Sequence, residues 1–265
     1  MSTTTSIHPT AVVENDVELD SGVVIGPYSV VKGRVRIGKN TVINSHVTIG
    51  SSSTVVSIGE NNNFLPGAMV GGPPQDLSYK NDPTKLEIGN HNIFREFVTI
   101  NCGTVKGGGV TRIGNHCMLM SYVHVAHDCQ IGDHVVVANG CQFAGHVTVE
   151  EHVHIGGMCG IVQFARVGRF AYVGGASHIR KDVLPYTIAE GSEMARCRAT
   201  NKIGLQRAGY SKDEIENIAR AIRFIVMGDR TIEESLQKIT SECKASDHIR
   251  HLINFIENSK FGVAR

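Results

Sequence analysis

Aliphatic and phenylalanine side chains return at every sixth residue across residues 113–179. An α-helix, with a period of about 3.6 residues, and a simple strand, with a period of about 2, do not produce this spacing. Six-residue repeats are the signature of a parallel β-helix, in which each hexapeptide forms one short face and one corner. The positions that we expect to point inward are Ile113, Leu119, Val125, Ile131, Val137, Phe143, Val149, Ile155, Ile161, Val167, Val173 and Ile179.

A second position in each repeat, four residues after the aliphatic one, carries a small or β-branched side chain. Three hexapeptides complete one triangular coil, so residues 18 apart become stacked neighbours at the strand spacing of about 4.8 Å. This class of repeat resembles the left-handed parallel β-helix, an exception to right-handed crossover connections. The small positions, which we expect to fit the tight turns, are Cys117, Val123, Cys129, Val135, Cys141, Val147, Val153, Cys159, Ala165, Ala171, Ser177 and Val183.

The same register opens the chain and is broken twice. Two polar segments rich in glycine, near residues 71–86 and 103–111, are predicted to leave the coil as external loops, and such loops are frequently functional. The register shifts by three residues after Val55. The earlier inward positions are Ile7, Val13, Leu19, Ile25, Val31, Ile37, Ile43, Ile49 and Val55, followed by Ile58, Phe64 and Val70 and then by Ile88, Phe94 and Ile100.

Helical signals replace the hexad after residues 185–191. Ser211 with Glu214, and Thr231 with Glu234, form capping boxes in front of amphipathic segments. The segment "HIRHLINFIENS" has the same amphipathic spacing. We therefore predict an all-β solenoid domain over residues 1–191 and a C-terminal α-helical domain over residues 192–265.

Composition narrows the functions open to this chain. A formal net charge of +1 supplies no broad basic field for nucleic acid. The first residues lack the regions of a signal peptide, and no apolar run reaches membrane-spanning length. We expect a cytoplasmic protein without stable membrane insertion. Cys117, Cys129, Cys141 and Cys159 share the repeat spacing, which predicts packed, reduced thiols.

The stretch "SYVHVAHDCQIGD" (residues 121–133) concentrates polar side chains on the solenoid. His127 and Gly145 are 18 residues apart and therefore stack on one edge, and His146 lies diagonally above His127. A further coil places Gln163 on the same edge. One face of the prism thus collects His124, His127, Asp128, Gly145, His146 and Gln163.

This face holds the parts for acyl transfer by direct attack on the acyl donor. A neutral His127 can take a proton from a hydroxyl, and Asp128 can fix its tautomer if the chain turns a corner between them. The backbone N–H of Gly145 can reach a developing oxyanion. A solenoid with histidines on one wall can complete its site against a second copy, and a homotrimer fits a triangular prism.

Two other functions fit parts of the pattern. Hexapeptide-repeat carbonic anhydrases resemble this scaffold and bind zinc through three histidines at a subunit interface, a set that His124, His127 and His146 could imitate. Their usual histidine spacing differs, and they lack the long loop and the helical tail. A solenoid without enzymatic activity, which binds carrier protein as a scaffold, is the other alternative.

Longer motifs carry a more specific resemblance. They are "PQDLSYK" (residues 74–80), "GTVKGGGVTRIG" (103–114), "HVAHDC" (124–129), "VVAN" (136–139), "AGHV" (144–147), "IGGM" (155–158) and "QF" (163–164). Over essentially the whole chain the pattern resembles the UDP-N-acetylglucosamine acyltransferases that begin lipid A biosynthesis. That family transfers an (R)-3-hydroxyacyl chain from acyl carrier protein to the glucosamine 3-hydroxyl. The resemblance implies no cofactor besides the phosphopantetheine of the carrier protein.

The resemblance also implies a role for each matching residue. His127 is the general base with Asp128 as its supporting carboxylate, and Gly145 supplies the oxyanion N–H. The basic segment 196–212 is expected to dock the acidic carrier protein. The remaining carried-over residues are His124 and His146 for positioning substrate, Gln75 and Asp76 for the sugar, Gln163 and Asn201 for the nucleotide and pantetheine path, Arg207 for the carrier protein, and Gly175 for acyl-chain length.

Five positions depart from the family pattern and leave the acceptor open. They lie in the substrate-facing shell, so the acceptor atom can be a 3-hydroxyl or the 3-amino group of a modified sugar, which gives an amide. The N-acyltransferase of the same pathway is a weaker match, because it carries an extra domain before its coils. The departures are Ser78 for lysine, Val162 for histidine, Glu193 for histidine, Ile203 for glutamate and Ala208 for arginine.

Overall fold

Short strands repeat along the chain at intervals set by the hexads. The computed structural model describes residues 4–227 and 230–265. Most strands are only two residues long, because each hexapeptide supplies one strand and one corner. The strands β1 to β28 of those ranges are, in chain order, Ser6–Ile7, Val12–Val13, Val17–Leu19, Val24–Ile25, Val30–Val31, Arg34–Ile37, Val42–Ile43, Thr48–Ile49, Thr54–Ile58, Asn63–Phe64, Met69–Gly72, Thr84–Ile88, Ile93–Phe94, Thr99–Asn101, Val110–Ile113, Met118–Leu119, His124–Val125, Gln130–Ile131, Val136–Val137, Gln142–Phe143, Thr148–Val149, His154–Ile155, Gly160–Ile161, Arg166–Val167, Tyr172–Val173, His178–Ile179, Thr187–Glu190 and Arg196–Thr200.

Successive strands pass to three different sheets, which form the walls of a prism. The pairing is parallel and in register with the next coil, as where Val125 lies beside Phe143. Only β27 and β28 pair antiparallel within the described ranges. The architecture is the predicted left-handed parallel β-helix. Sheet A runs β1-β4-β7-β10-β13-β16-β19-β22-β25-β27-β28, sheet B runs β2-β5-β8-β11-β14-β17-β20-β23-β26, and sheet C runs β24-β21-β18-β15-β12-β9-β6-β3.

The core is the column of inward side chains, and every inward position predicted from residue 113 onward is buried. One earlier prediction was wrong: Val56 is buried at 1% exposure, while Val55 is only partly buried. The chain passes through Gly50 with a φ of 80° and then enters a five-residue strand. Burial alternates along that strand, so the shift of register occurs before Val55. Ile7 is 46% exposed, because it lies in the first described coil.

Corner residues adopt left-handed backbone angles, and their side chains stack from coil to coil. His91, His116, His134 and His152 have φ values of 56–59°. Successive rings in this set lie 4.8, 4.9 and 4.6 Å apart and nearly parallel. We call these four residues the histidine column. Phe170 continues it at 4.7 Å. This stacking was not predicted from the sequence.

The C-terminal segment closes the last coil. Both predicted capping boxes, at Ser211 and Thr231, are confirmed. The segment also contains β28 and α1, which periodicity did not predict, and Asp182 holds the chain end through a hydrogen bond from Ser259 Oγ. None of the helices within residues 4–227 and 230–265 has the length and apolar character of a membrane span. They are α1 (Lys202–Arg207), α2 (Lys212–Val226), α3 (Ile232–Glu242) and α4 (Asp247–Glu257).

Candidate active site

A corner of the prism between β17 and β18 presents His127 and Asp128. Asp128 has a φ of 62°, and this turn brings together two neighbouring side chains that would point apart on a strand. Nδ1 of His127 lies 2.8 Å from Oδ2 of Asp128. Both residues are buried. The predicted contact at the corner is therefore confirmed, although the catalytic roles remain predictions.

The Asp128 carboxylate is fixed by a second partner from an external loop. The backbone N–H of Thr104 donates to Oδ1 at 2.8 Å, and the Thr104 hydroxyl donates to Oδ2 at 2.7 Å. The backbone N–H of Asp128 also donates to the Thr111 hydroxyl at 2.8 Å. With Nδ1 of His127 bound to this carboxylate, Nε2 is the nitrogen left to act as a base.

Gly145, one coil further along, lies directly against the imidazole. A Cβ added at this residue would stand 2.4 Å from Cε1 of His127, which no real side chain tolerates. The absent side chain therefore makes room for the ring. Among the described residues, the backbone N–H of Gly145 has no hydrogen-bond acceptor. The predicted stacking is confirmed, and a free donor lies beside the predicted base.

Two further histidines face the same space. The ring of His146 lies 5.1 Å from that of His127, at 88° to it, and Nε2 of His146 is 3.6 Å from Oδ2 of Asp128. Nδ1 of His124 lies 2.8 Å from the Thr99 hydroxyl. Burial lowers the pKa of His146, although the nearby Asp128 charge opposes the shift. Burial, aided by His127, also lowers the pKa of His124. Both rings are therefore neutral near pH 7.

Two open clefts meet at His127. The first, of about 700 Å³, runs along sheet B towards His178 and Arg180. The second, of about 760 Å³, passes under the two external loops. The Ser78 backbone N–H lowers the pKa of Asp76, with the Ser78 side chain as the next cause, so this carboxylate is ionised at the second cleft. Both clefts are lined by Gln75, His127 and Gln163.

Three predicted residues lie elsewhere on the single chain. Asn201 and Arg207 line a separate cleft of about 680 Å³ on the outer face of sheet A. Asn201 also caps α1, where its side chain accepts from the Gly204 N–H. Gly175 lines none of these three clefts. One copy of the chain thus brings together the predicted base, carboxylate, oxyanion donor and sugar-contacting residues, but not Asn201, Arg207 or Gly175.

Sequence reasoning missed Thr104 and Lys106. Both stand in the loop "GTVKGGGVT", which the sequence marked as an external segment and as part of a family motif, without a role for either residue. Thr104 caps a 3-10 turn, Val105–Gly107, and Lys106 lines the second cleft. The only signal was the position of a threonine and a lysine among glycines, which does not identify their partners.

The side chains that could bind a metal ion differ from the three histidines that the sequence suggested. In the described part of the chain, one group could hold a metal ion: His127, Asp128 and His146, whose ligand atoms lie within 4.8 Å of one another. His124 is outside it. Within a single chain, therefore, Asp128 takes the place of His124 in the only described cluster, and the three histidines do not form one set of ligands.

Comparison with known proteins gives consistent matches along the chain. A family model described as "Udp N-acetylglucosamine O-acyltransferase; Domain 2" matches residues 182–264. A bacterial transferase hexapeptide model matches residues 16–51 and 111–145.

Full-length relatives share the chain's architecture. An acyl-[acyl-carrier-protein]–UDP-N-acetylglucosamine O-acyltransferase from Myxococcus xanthus is 39% identical over 259 residues, covering 98% of this chain and 99% of that protein. One from Xanthomonas axonopodis is 41% identical, covering 95% and 94%. The crystal structure of UDP-N-acetylglucosamine O-acyltransferase from Moraxella catarrhalis has a TM-score of 0.93 at 42% identity, covering 98% of this chain and 99% of that one. The Francisella novicida enzyme has a TM-score of 0.93 at 34% identity, covering 98% and 94%.

Proposed function

The chain belongs to the acyl-[acyl-carrier-protein]–UDP-N-acetylglucosamine O-acyltransferase family, and from that membership we propose a mechanism for its reaction. The enzyme moves an acyl chain from acyl carrier protein to UDP-N-acetylglucosamine. The proposed acyl group is an (R)-3-hydroxyacyl chain, and the proposed acceptor is the glucosamine 3-hydroxyl. His127 acts as the general base.

One observation carries the mechanism: Asp128 holds Nδ1 of His127 at 2.8 Å while Nε2 is left for the cleft. Nε2 takes the proton of the acceptor hydroxyl as its oxygen forms a bond to the thioester carbonyl carbon. The oxyanion that develops accepts a hydrogen bond from the Gly145 N–H. When the C–S bond breaks, the imidazolium returns the proton to the departing thiolate of phosphopantetheine. Base catalysis of this kind contributes about 10²–10⁴-fold in rate.

The attack is direct, without an acyl-enzyme. Neither cleft at His127 is lined by a serine or a cysteine, as far as the described residues show. All seven cysteines are buried. Thr104 does line the second cleft, but its hydroxyl donates to Asp128. The acyl chain arrives already activated on the carrier protein, so the proposed step uses no cofactor of its own.

The enzyme works as a homotrimer whose sites lie between subunits. Asn201 and Arg207 line a cleft separate from that of His127 in one chain, so a second copy is needed to bring them to the base. The basic segment 196–212 contains both residues and is the proposed dock for acyl carrier protein. Gly175 would then limit acyl-chain length from a neighbouring copy, with its hydrogen atom leaving room for a longer chain.

The acceptor assignment can be tested directly. Purified protein should acylate UDP-N-acetylglucosamine from acyl carrier protein, with a ladder of (R)-3-hydroxyacyl chain lengths as donors. A UDP-sugar with a 3-amino group, assayed in parallel, reads out the amide alternative. Acylation of the amino sugar alone would contradict the proposed acceptor, and turnover of neither sugar would contradict the proposed reaction.

The base assignment needs a variant. His127→Ala should lower kcat by about 10²–10⁴-fold while the melting temperature and oligomeric mass stay close to wild type. A zinc enzyme would instead contain stoichiometric metal by elemental analysis. A scaffold protein would bind carrier protein equally well with and without the substitution. Unchanged turnover in a folded His127→Ala protein would exclude His127 as the base.

A further inference from the structure

Lys106 joins the two external loops above the second cleft. Its ammonium nitrogen donates to the Ser78 hydroxyl at 3.2 Å. Ser78 follows Asp76 in the first loop, and its backbone N–H donates to Oδ1 of that aspartate at 2.7 Å. The ammonium therefore stands next to the loop residue assigned to the sugar.

The backbone of Lys106 is fastened to the reaction centre. Its 3-10 turn begins at Thr104, whose hydroxyl accepts from the Gly107 N–H at 3.1 Å and donates to Asp128. A Cβ added at Gly107 would lie 2.1 Å from Cγ of Asp128, so the turn packs directly on that carboxylate. The same side chain that orients His127 thus sets where Lys106 stands.

The charge of Lys106 is available to a ligand. Among the residues that line the second cleft, it is the one lysine or arginine in the described chain. It forms no ion pair with any described carboxylate within 4.0 Å. An ammonium has three N–H donors, and Ser78 occupies one. The remaining donors are free for an anionic group at the mouth of the cleft.

We propose that Lys106 binds the diphosphate of the nucleotide-sugar acceptor. The proposal rests on the proposed function, with His127 acting on the acceptor sugar and Asp76 holding that sugar as the family resemblance implies. The diphosphate is the anionic part of that acceptor, and lysine recognises phosphate as a compact point charge. Ser78 stands where the family pattern has lysine. In this chain Lys106, from the second loop, places its ammonium group next to the Ser78 hydroxyl and so supplies a cation at that position. Lys106 is therefore a binding residue for the acceptor.

Calorimetric binding without acyl donor tests this assignment. Lys106→Gln should weaken binding of both UDP-N-acetylglucosamine and UDP by about tenfold, the scale of one hydrogen bond to a charged group. The KM for the sugar nucleotide should rise by a similar factor with kcat nearly unchanged, because the contact is made before the reaction. Lys80→Gln, which removes an exposed charge from the first loop outside the cleft lining, is the matched control and should bind like wild type.

Two further measurements separate a charge contact from a structural role. Added salt should weaken UDP binding more in wild type than in Lys106→Gln, because exposed charges are screened. Ser78→Lys in the Lys106→Gln background should restore affinity by returning the cation to the first loop. Restoration supports the proposal, and failure of this rescue in a folded protein would count against it.

The possible failures are distinct. Unchanged UDP affinity in Lys106→Gln overturns the proposal, and so does weakening confined to UDP-N-acetylglucosamine, since the contact would then be to the sugar. A fall in kcat alone would place the effect on Asp128 and also overturn it. If wild type acylates neither acceptor, the proposed function fails instead. An active wild type with an indifferent Lys106→Gln refutes only the present inference.

Discussion

The position of His127, the proposed base, depends on a neighbour that lacks a side chain. Gly145 leaves the space in which the His127 ring lies, and both residues line the first cleft. The proposed reaction centre is therefore formed by two successive coils, and its geometry depends on how closely they stack. Residue-scale changes at this contact should affect rate more than stability.

Gly145→Ala should lower kcat by about 10²-fold, the cost of displacing a catalytic group by roughly 1 Å. The new Cβ would stand 2.4 Å from Cε1 of His127, so the ring must move away from the acceptor. Steady-state kinetics and a melting curve measure the two effects. Gly72→Ala is the matched control, because a Cβ there meets nothing nearer than 3.7 Å. Full activity in Gly145→Ala would contradict the contact.

Thr104→Val should lower kcat by about tenfold with little change in KM, because it removes one hydrogen bond to the charged Asp128 carboxylate. The valine keeps the shape of threonine but cannot donate to Oδ2 as the hydroxyl does at 2.7 Å. Thr104→Ser restores the donor and should return most of the rate. A serine variant as slow as the valine variant would show that the methyl group, not the hydroxyl, matters.

The sequence predicted the His127–Asp128 pair and its stacking on Gly145, because fixed periods place those residues. Thr104 was out of reach, since it meets Asp128 across 24 residues through a loop that has no period. The prediction that Val55 points inward was wrong for a related reason. An extra residue at a bend shifts the register, and the spacing of the apolar residues does not reveal it. Periodic contacts are readable from the chain, and contacts made by loops are not.

At the scale of elements, side chains at the corners of successive coils stack on one another along the prism. The histidine column places four imidazoles 4.6–4.9 Å apart, so each protonation puts a charge beside its neighbours. Burial lowers the pKa of His152, and His134 lowers it further, while Glu151 and Asp133 oppose the shift. Because its folded pKa is depressed below the ordinary 6.5, His152 contributes stability above that pH and loses it as pH falls.

Acid should therefore lower the melting temperature of the wild-type protein as the pH falls below about 6.5, the ordinary value of the histidine pKa. His134→Asn should make that drop smaller, because it removes the neighbouring imidazole charge and asparagine accepts the left-handed corner. Melting curves at several pH values measure the difference. His8→Asn, an exposed residue outside the column, should leave the pH dependence unchanged. An equal drop in His134→Asn and wild type would contradict the coupling.

At the scale of the whole molecule, the residues proposed to bind substrate lie in separate clefts of one chain. Asn201 and Arg207 line the cleft at the helical segment, and His127 lines the clefts at the proposed reaction centre. The hexads predicted the prism itself, and two capping boxes with amphipathic spacing predicted α2, α3 and α4. They did not predict β28 and α1, which are single elements made by one local sequence without repetition. Asn201 caps α1, and Arg207 lies in it. The residues that the repeat could not place are therefore also the ones proposed to come from another copy of the chain.

Subunit mixing should restore activity to two inactive proteins. In trimers that contain both His127→Ala and Asn201→Ala/Arg207→Ala subunits, about a third of the sites draw intact residues from both partners. Activity of the co-expressed, doubly tagged complex measures this, with each variant alone as the control. Light scattering should give three times the chain mass of 28.7 kDa. Activity no higher than that of the parents would place each site within one chain.

The pairing pattern also gives the prism a direction. In the described ranges β1, β2 and β3 each have a bonded neighbour on one side only, whereas the other end of sheet A finishes in the antiparallel strand β28. Hexapeptides fused ahead of Ser6 would continue all three ladders in register. The same insert after β27 would have to displace β28 and the helices behind it. The scaffold can therefore be lengthened at one end, and the site, tied to a fixed number of coils from the closed end, would keep its geometry.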